Sequence, residues 1–235
     1  MKIGIIPDIH SNIQALKTVL KEFDRIKVDK VICCGDIIGI GPNPEEAVQL
    51  LIKKMENLIV VRGNHEKYIT NELPKEVHDD KRKMSFDEIQ NHKWTQSMLS
   101  KESIKFIKEL PVEKNIEIEN KKLYIVHYPE NEDGRYKKQI KKPTIAENQD
   151  MFGEINAAIF IYGHTHAYSV NNMENKWYIN PGSLGCPISN NIANAGILDI
   201  SNEKVNFKHL RIEYDVEKTI EEIEKIKFPM YKGIL

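Results

Sequence analysis

The sequence has few of the features that mark secreted or membrane proteins. Only three cysteines occur in 235 residues, and Cys33 and Cys34 are adjacent within an apolar run, so neither a disulfide framework nor a CxxC zinc ribbon is predicted. The first apolar run, residues 3–6, ends at Pro7 and is too short for a signal-peptide core or a membrane span. We therefore expect a cytoplasmic protein with reduced thiols.

Neither sign of charge is in excess. Thirty-four Lys and Arg residues stand against 35 Asp and Glu, a formal net charge of −1, so the balance requires neither nucleic acid nor an anionic membrane as an obligate partner. An apolar content of 40% and a charged content of 29% are typical of a globular chain with a sizeable core. The length favours a single domain over residues 1–235, and the partner is expected to be a small molecule.

Val- and Ile-rich runs alternate with segments of helical period at the start of the chain. The runs at 3–7, 31–34 and 58–61 predict strands, and the segments 11–23 and 44–55 predict helices. Asn before Pro at the start of the second helix is a good capping sequence. The chain therefore opens with a βαβαβ unit.

The second half of the chain reads mainly as strands joined by short turns. They are predicted at 123–126, 158–161, 177–179, 196–200 and 205–210. Short connections favour mixed or antiparallel pairing, so the expected fold is α/β of the α+β type, a two-layer β-sandwich of mixed sheets flanked by helices. A polar helical insert is expected over 67–110 and an amphipathic terminal helix over 216–227. The basic segment 134–142 is interpreted as a solvated loop in preference to a substrate lid.

Polar side chains that can bind metals directly follow five of the predicted strands. They are Asp8, His10, Asp36, Asn64, His65, His127, His164 and His166. The carboxyl ends of strands in open α/β sheets form the ligand crevice, so these side chains are expected to meet on one rim. Any one of them alone would be interpreted as a turn residue or a helix cap, whereas five such sites together favour function.

The donor types in this set narrow the choice of metal. Carboxylate oxygen, imidazole nitrogen and amide oxygen without thiolate suit manganese first, then iron and zinc, and magnesium less well. Without His65, seven ligand groups are present, more than the four of one tetrahedral zinc, and a carboxylate can bridge, so two divalent ions sharing Asp36 is the economical assignment. A glycine directly precedes Asp36, Asn64 and His164, as expected where a tight turn brings the backbone close to an ion.

The sequence resembles the calcineurin-like metallophosphoesterases in five short motifs. The motifs are Asp8-Ile-His10, Gly35-Asp36, Gly63-Asn64-His65-Glu66, His127 and Gly163-His164-Thr165-His166, and they span about residues 1–185 in the family's order. Residues 36–44 and 180–183 are most similar to those of small bacterial and archaeal phosphodiesterases. The resemblance implies a metallophosphoesterase fold and hydrolysis of a phosphate ester by a metal-activated water.

Roles for individual residues follow from the same resemblance. It implies that Asp8, His10 and His166 hold one ion, that Asn64, His127 and His164 hold the other, and that Asp36 bridges the two. It also implies that His65 binds no metal and stabilises or protonates the leaving-group oxygen. The expected substrate is a small or nucleotide-like phosphodiester.

Four positions depart from the family's pattern. Gly39 stands where many members have a second Asp. Tyr128 and Pro129 replace small residues after His127 and are expected to narrow the pocket. Glu66 stands where Asp is common, and is interpreted either as a helix-start charge or as a partner of a metal-bound histidine.

Other functions stay open at this point. The block Arg62-Gly63-Asn64-His65-Glu66 is also similar to that of Ser/Thr protein phosphatases, but residues 39–41 supply no arginine for the phosphate. A phosphomonoesterase is a further alternative. A non-catalytic scaffold on the same fold is disfavoured because none of the motif residues has been lost.

Overall fold

The computed structural model of the protein describes residues 1–70, 73, 82–188 and 190–233. In this part of the chain the strands are β1 (Lys2–Ile6), β2 (Lys30–Cys33), β3 (Leu58–Val60), β4 (Glu113–Ile118), β5 (Lys121–Val126), β6 (Ile159–Ile161), β7 (Ser169–Met173), β8 (Lys176–Asn180), β9 (Ile192–Ile200) and β10 (Val205–Glu213). The helices are α1 (Ile13–Ile26), α2 (Pro44–Ile52), α3 (Asn64–Thr70), α4 (Phe86–Met98), α5 (Lys101–Glu109), α6 (Ile145–Phe152) and α7 (Val216–Ile226).

The described strands form two mixed sheets of five strands each. The first sheet has the order β10-β9-β1-β2-β3, with β1, β2 and β3 parallel and β9 and β10 antiparallel. The second has the order β4-β5-β6-β8-β7, with β5, β6 and β8 parallel and an antiparallel strand at each edge. Each sheet therefore contains three adjacent parallel strands, and their carboxyl ends carry the loops that matter for function.

An apolar layer joins the two sheets. Its fully buried members come from both sheets and include Ile3, Ile5, Ile32, Leu123, Ile125, Ile159, Ile161 and Ile179. Burying one such side chain contributes about 1.5–3 kcal/mol. A second cluster covers the other face of the first sheet with α1, α2 and α5, and a third, rich in Tyr and Phe, lies between the second sheet and α6. The loops at the rim are thus mounted on a rigid, closely packed body.

Local capping sets the helix boundaries. Asn12 accepts a hydrogen bond from the amide of Ala15 and caps α1, so the helix begins two residues later than predicted and runs on to Ile26. The second helix ends at Ile52, short of the predicted residue 55, because a 3₁₀ turn at Met55–Asn57 leads into β3. The terminal helix was predicted at 216–227 and observed at Val216–Ile226.

The predicted sandwich of mixed sheets flanked by helices is confirmed, and three elements were missed. Strand β4 is almost wholly exposed at a sheet edge, and β7 has the polar sequence SVNNM, so neither shows a strong period-two apolar pattern. Helix α6 has eight residues, but its Thr144–Glu147 capping box was a readable signal. The single-domain boundary stays a prediction.

The helical insert predicted over 67–110 comprises the end of α3 together with α4 and α5. Residues 71–72 and 74–81 of that span lie outside the described residues. The capping box of Ser85 and Glu88 starts α4, and Asn91 and His92 on this helix are buried. Within the described ranges, none of the helices has the length and apolar character needed to cross a bilayer.

Candidate metal centre

The parallel strands of both sheets bring the eight predicted side chains to one rim of the sandwich. Each side chain lies in the loop or helix start that directly follows β1, β2, β3, β5 or β6. The side chains buried to 8% exposure or less are Asp8, His10, Asp36, Asn64 and His127. The other three histidines are partly exposed. The predicted convergence is confirmed, and the site is open to solvent on the side of His65, His164 and His166.

Several of these residues have a left-handed backbone conformation. The φ angles of His10, Asp36, His164 and His166 are 49°, 48°, 68° and 54°. Such conformations of L residues cost roughly 1–3 kcal/mol each and cluster at functional sites. At Gly63 an added Cβ would lie 2.1 Å from Oδ1 of Asp36, so only glycine fits beside that carboxylate. The backbone is therefore shaped to hold the donor side chains together.

Asn64, His127 and His164 form one compact group, named here the second donor set. Oδ1 of Asn64 lies 3.2 Å from Nε2 of His127 and 3.1 Å from Nδ1 of His164, and the two ring nitrogens are 3.2 Å apart. Nδ1 of His127 donates to the carbonyl of Cys34 at 2.8 Å, which leaves Nε2 facing the group, where a metal can displace its proton. Ligands at about 2.0–2.2 Å from one ion are roughly 3–3.5 Å apart, so this spacing fits a shared cation.

Asp8, His10 and His166 form the first donor set. Nε2 of His10 and Nε2 of His166 are only 2.8 Å apart, and Oδ1 of Asp8 lies 3.8 Å from Nε2 of His166. That Oδ1 also accepts a hydrogen bond from the amide of His164 at 2.8 Å. Oδ2 of Asp8 is buried and has no hydrogen-bond partner among the described residues. A buried carboxylate oxygen without a hydrogen-bond partner needs a cation or a proton to be satisfied.

Asp36 lies between the two donor sets. Its Oδ2 atom is 3.3 Å from Nε2 of His127 and 3.8 Å from Nε2 of His10. The other oxygen, Oδ1, accepts a hydrogen bond from the amide of His65. Two groups with the spacing of metal ligands share this carboxylate, one with His10 and His65 and one with His127 and His164. Asp36 is thus placed to serve both donor sets.

Burial and the charges of neighbouring side chains shift the pKa values of the residues at the centre. Burial alone would raise the pKa of Asp36, but the neighbouring His127 and His65 hold it well below its usual range. At His127, burial alone would lower the pKa, but the charges of Asp36 and then Asp8 outweigh burial and raise the pKa to about 9. Burial and the nearby His166 keep the pKa of His10 low. The site therefore holds an ionised Asp36 among several imidazoles, an arrangement that favours divalent cations in exchange for protons.

His65 sits at the edge of the centre with its ring close to other rings. Nε2 lies 4.0 Å from Oδ2 of Asp36, while Nδ1 is buried and has no hydrogen-bond partner among the described residues. The rings of Tyr68 and His92 pack on it at centroid distances of 5.9 and 5.3 Å. At Gly39 an added Cβ would lie 2.3 Å from Nδ1, so the ring of His65 fills the space that a side chain at position 39 would need.

Glu66 lies at a helix start, as one of its two sequence interpretations expected, and it has a further role there. It is fully buried in the first turn of α3, and its carboxylate accepts hydrogen bonds from the amides of Asp36, Ile37, Ile38 and Gly63 at 2.8–3.2 Å. The partners are backbone amides and not a histidine. Burial and the charge of Asp36 raise its pKa to about 7, and the amides oppose that rise. Glu66 therefore clamps the loop after β2 to the loop after β3.

The prediction that Tyr128 narrows the pocket is wrong. Tyr128 is fully buried, its hydroxyl donates to the carbonyl of Lys138 and accepts from the amide of Ile140, and its ring packs 5.1 Å from that of His164. Tyr136, from the basic segment 134–142, packs 4.6 Å from His164. This segment is thus a braced loop behind the second donor set, with its exposed lysines pointing to solvent.

The end of β8 and the loop after it contribute residues that the sequence did not place at the centre. Asn180 donates to the carbonyl of Gly163 and to the hydroxyl of Thr165 at 2.9 and 3.0 Å, which supports the segment carrying His164 and His166. The sulfur of Cys186 lies with His10 and His166 in a group that has metal-ligand spacing. The premise that the centre lacks a thiol was therefore wrong. The sequence feature that could have placed Cys186 at the centre is its position after β8, the sixth of the parallel strands in the two sheets.

Comparison with known proteins agrees with this geometry. The family model described as the calcineurin-like phosphoesterase superfamily domain matches residues 1–203. The chain belongs to the calcineurin-like phosphoesterase superfamily. Among relatives of this chain, the uncharacterized protein MJ0912 of Methanocaldococcus jannaschii is 32% identical, over 98% of this chain and 95% of that one.

Two further relatives bear on activity and fold. Phosphodiesterase MJ0936 of the same organism is 25% identical to this chain, over 91% of this chain and all of that one. The crystal structure of a metallophosphoesterase from Sphaerobacter thermophilus superposes with a TM-score of 0.73 at 24% identity, covering 100% of this chain and 97% of that one. The metallophosphoesterase-like fold and the resemblance to small phosphodiesterases are thereby confirmed.

Proposed function

We propose that the protein is a metal-dependent phosphodiesterase that acts on small or nucleotide-like esters. In this proposal the first donor set holds one divalent ion, the second holds another, and Asp36 is shared between them. The observation that carries the proposal is the position of Oδ2 of Asp36, which lies within 4.0 Å of ring nitrogens of His10, His65 and His127. Imidazole, carboxylate and amide donors at this spacing suit manganese, iron or zinc.

The chain's own residues would divide the work of hydrolysis. Two divalent ions bound here supply an activated water and neutralise charge on the phosphate oxygens. His65 faces the shared carboxylate from the partly exposed side of the centre, where it can reach a leaving-group oxygen and protonate it. Glu66 keeps the Asp36 loop in place while charge changes at the centre. No covalent intermediate on the protein is required.

A diester is favoured over a phosphoprotein because the segment after Asp36 carries no positive charge. Gly39 and Gly41 stand there, and an added Cβ would lie 2.3 Å from the ring of His65 at the first and 2.5 Å from the carbonyl of His10 at the second. A doubly charged monoester needs more cationic groups than a singly charged diester does. The relatives named phosphodiesterase, at 25% identity and below, support the same class.

The proposal is tested by assaying three substrates on the metal-loaded protein. We expect the highest kcat/KM for bis(4-nitrophenyl) phosphate, a lower value for 4-nitrophenyl phosphate and the lowest for a phosphoserine peptide, with manganese, zinc and iron(II) tried in parallel. Asp36→Asn is the control for contaminating activity. A phosphoserine peptide as the best substrate would support the protein-phosphatase alternative, and two bound ions without any turnover would support the scaffold.

A further inference from the structure

Cys186 lies beside the first donor set. Its sulfur, one ring nitrogen of His10 and one of His166 all lie within 4.8 Å of one another. The side chain is partly exposed, whereas Cys33 and Cys34 are fully buried in the apolar clusters on either side of the first sheet. Of the three thiols, this one alone belongs to a group with metal-ligand spacing in the described part of the chain.

The position of Cys186 is fixed by the same backbone that carries the first donor set. The amides of Leu184 and Gly185 donate to the carbonyl of Asp8 at 3.0 and 3.1 Å. The hydroxyl of Ser183 donates to that carbonyl and accepts from the amide of Cys186. An added Cβ on Gly185 would lie 1.9 Å from the carbonyl oxygen of Ile9, so the loop is in direct contact with the segment that ends in His10.

A second, independent feature of the first donor set indicates a cation. Oδ2 of Asp8 is fully buried and lacks a hydrogen-bond partner among the described residues, although Oδ1 of the same carboxylate accepts from the amide of His164. Two imidazole nitrogens and a sulfur therefore lie together, and Oδ1 of Asp8 lies 3.8 Å from Nε2 of His166. That combination of donors is typical of sites for zinc or iron.

We propose that Cys186 is a thiolate ligand of the ion held by the first donor set. The inference rests on the proposed metal centre and deepens it. On binding, the thiol proton is released to solvent and a sulfur–metal bond forms. A soft sulfur donor favours zinc and iron over manganese and magnesium at this set, while the second donor set keeps only nitrogen and oxygen ligands. The two ions would then occupy chemically different positions.

Cobalt(II) substitution tests the ligand directly, without any assay of turnover. Cobalt bound by a thiolate shows a charge-transfer absorption in the near ultraviolet, which nitrogen and oxygen ligands do not produce. We expect the band in the cobalt-loaded wild-type chain and its loss in Cys186→Ser and Cys186→Ala, with cobalt still bound. Cys33 and Cys34 are present in all three proteins and act as the internal control.

The outcomes separate this inference from the proposed function. A wild-type chain that binds two cobalt ions without the band, or a Cys186→Ser chain that keeps it, would overturn the thiolate ligand and leave the metal centre intact. A folded wild-type chain that binds no cobalt would overturn both. Matching melting temperatures of wild type and Cys186→Ser in chelator establish that the variant is folded.

Metal competition gives a second readout. Loss of a residue that only supports a ligand already lowers metal affinity roughly 10- to 100-fold, so loss of a direct sulfur ligand should lower zinc affinity at one site by at least about that factor. Manganese affinity should change much less, because sulfur contributes little to it. Equal losses for zinc and manganese in Cys186→Ser would contradict the proposal.

Discussion

The two donor sets differ in what holds their side chains in place. In the second set, the carbonyl of Cys34 fixes Nδ1 of His127 at 2.8 Å, and the ring of Tyr136 packs against that of His164. In the first set, the contact from Nδ1 of His10 to the carbonyl of Ile38 is longer, 3.4 Å, and His166 is one-third exposed. The second set is thus oriented by the protein before any ion binds, whereas the geometry of the first depends more on the ion itself.

Asp36→Asn should impair metal binding at both donor sets at once and should produce the largest loss of activity. Asparagine can still accept the amide of His65, but it removes the negative charge that both sets share. Several kcal/mol of charge stabilisation disappear with the ions, so kcat/KM should fall about 10³-fold or more. Elemental analysis after metal loading and diester kinetics measure the two losses. Retention of two ions with full activity would show that Asp36 is not shared.

His65→Ala should leave both sets loaded and still slow the reaction. A positioned general acid contributes on the order of 10²–10⁴ in rate, and an activated leaving group needs little of it. We therefore expect a large fall in kcat for an alkyl aryl diester cleaved at its poor leaving group and a small fall for a nitrophenyl diester, at unchanged metal content. Equal losses on both substrates would restrict His65 to positioning the phosphate.

Glu66→Gln should lower the metal affinity of both donor sets, because Glu66 holds the backbone of the loop that carries Asp36. The substitution places an amide NH₂ among four amide donors, so the metal-free protein should lose about 3 kcal/mol of unfolding free energy and bind both ions less tightly. Urea unfolding in chelator and a metal titration measure these effects. Glu147→Gln is the matched control, since Glu147 accepts the amide of Thr144 in an exposed capping box and should change stability far less. Similar losses in the two variants would contradict the clamp.

Because of the protonation of His127, the stability of the metal-free protein and that of the metal-loaded protein should depend on pH in opposite directions. The pKa of its ring is raised to about 9 from an ordinary value near 6.5, so its contribution to stability is complete below pH 6.5 and is lost as the pH rises through 9. In chelator the melting temperature should fall over that window. With metal it should rise, because the competing proton is removed. A His127→Asn protein that keeps the full metal-free slope would rule out this origin.

The sequence was most informative where chemistry and strand ends coincide. All eight side chains named from the motifs meet at the rim, because parallel strands must place their carboxyl ends together. The sequence did not predict the contacts that depend on the paths of the loops. Glu66 binds backbone amides from a loop about 30 residues away, which leave no mark in the sequence, and Cys186 reaches His10 only because its loop crosses Asp8. Tyr128 was misplaced for the same reason, since burial of its ring depends on the path of the basic loop.

The most direct test of the shared Asp36 is a crystal structure of the metal-loaded protein with anomalous scattering recorded at the absorption edge of the bound metal. If Asp36 is shared, the structure will show two ions about 3.5–4 Å apart, the usual separation in two-metal sites, with Oδ2 of Asp36 in contact with both. A single ion per chain, or two ions of which Asp36 contacts only one, would contradict it.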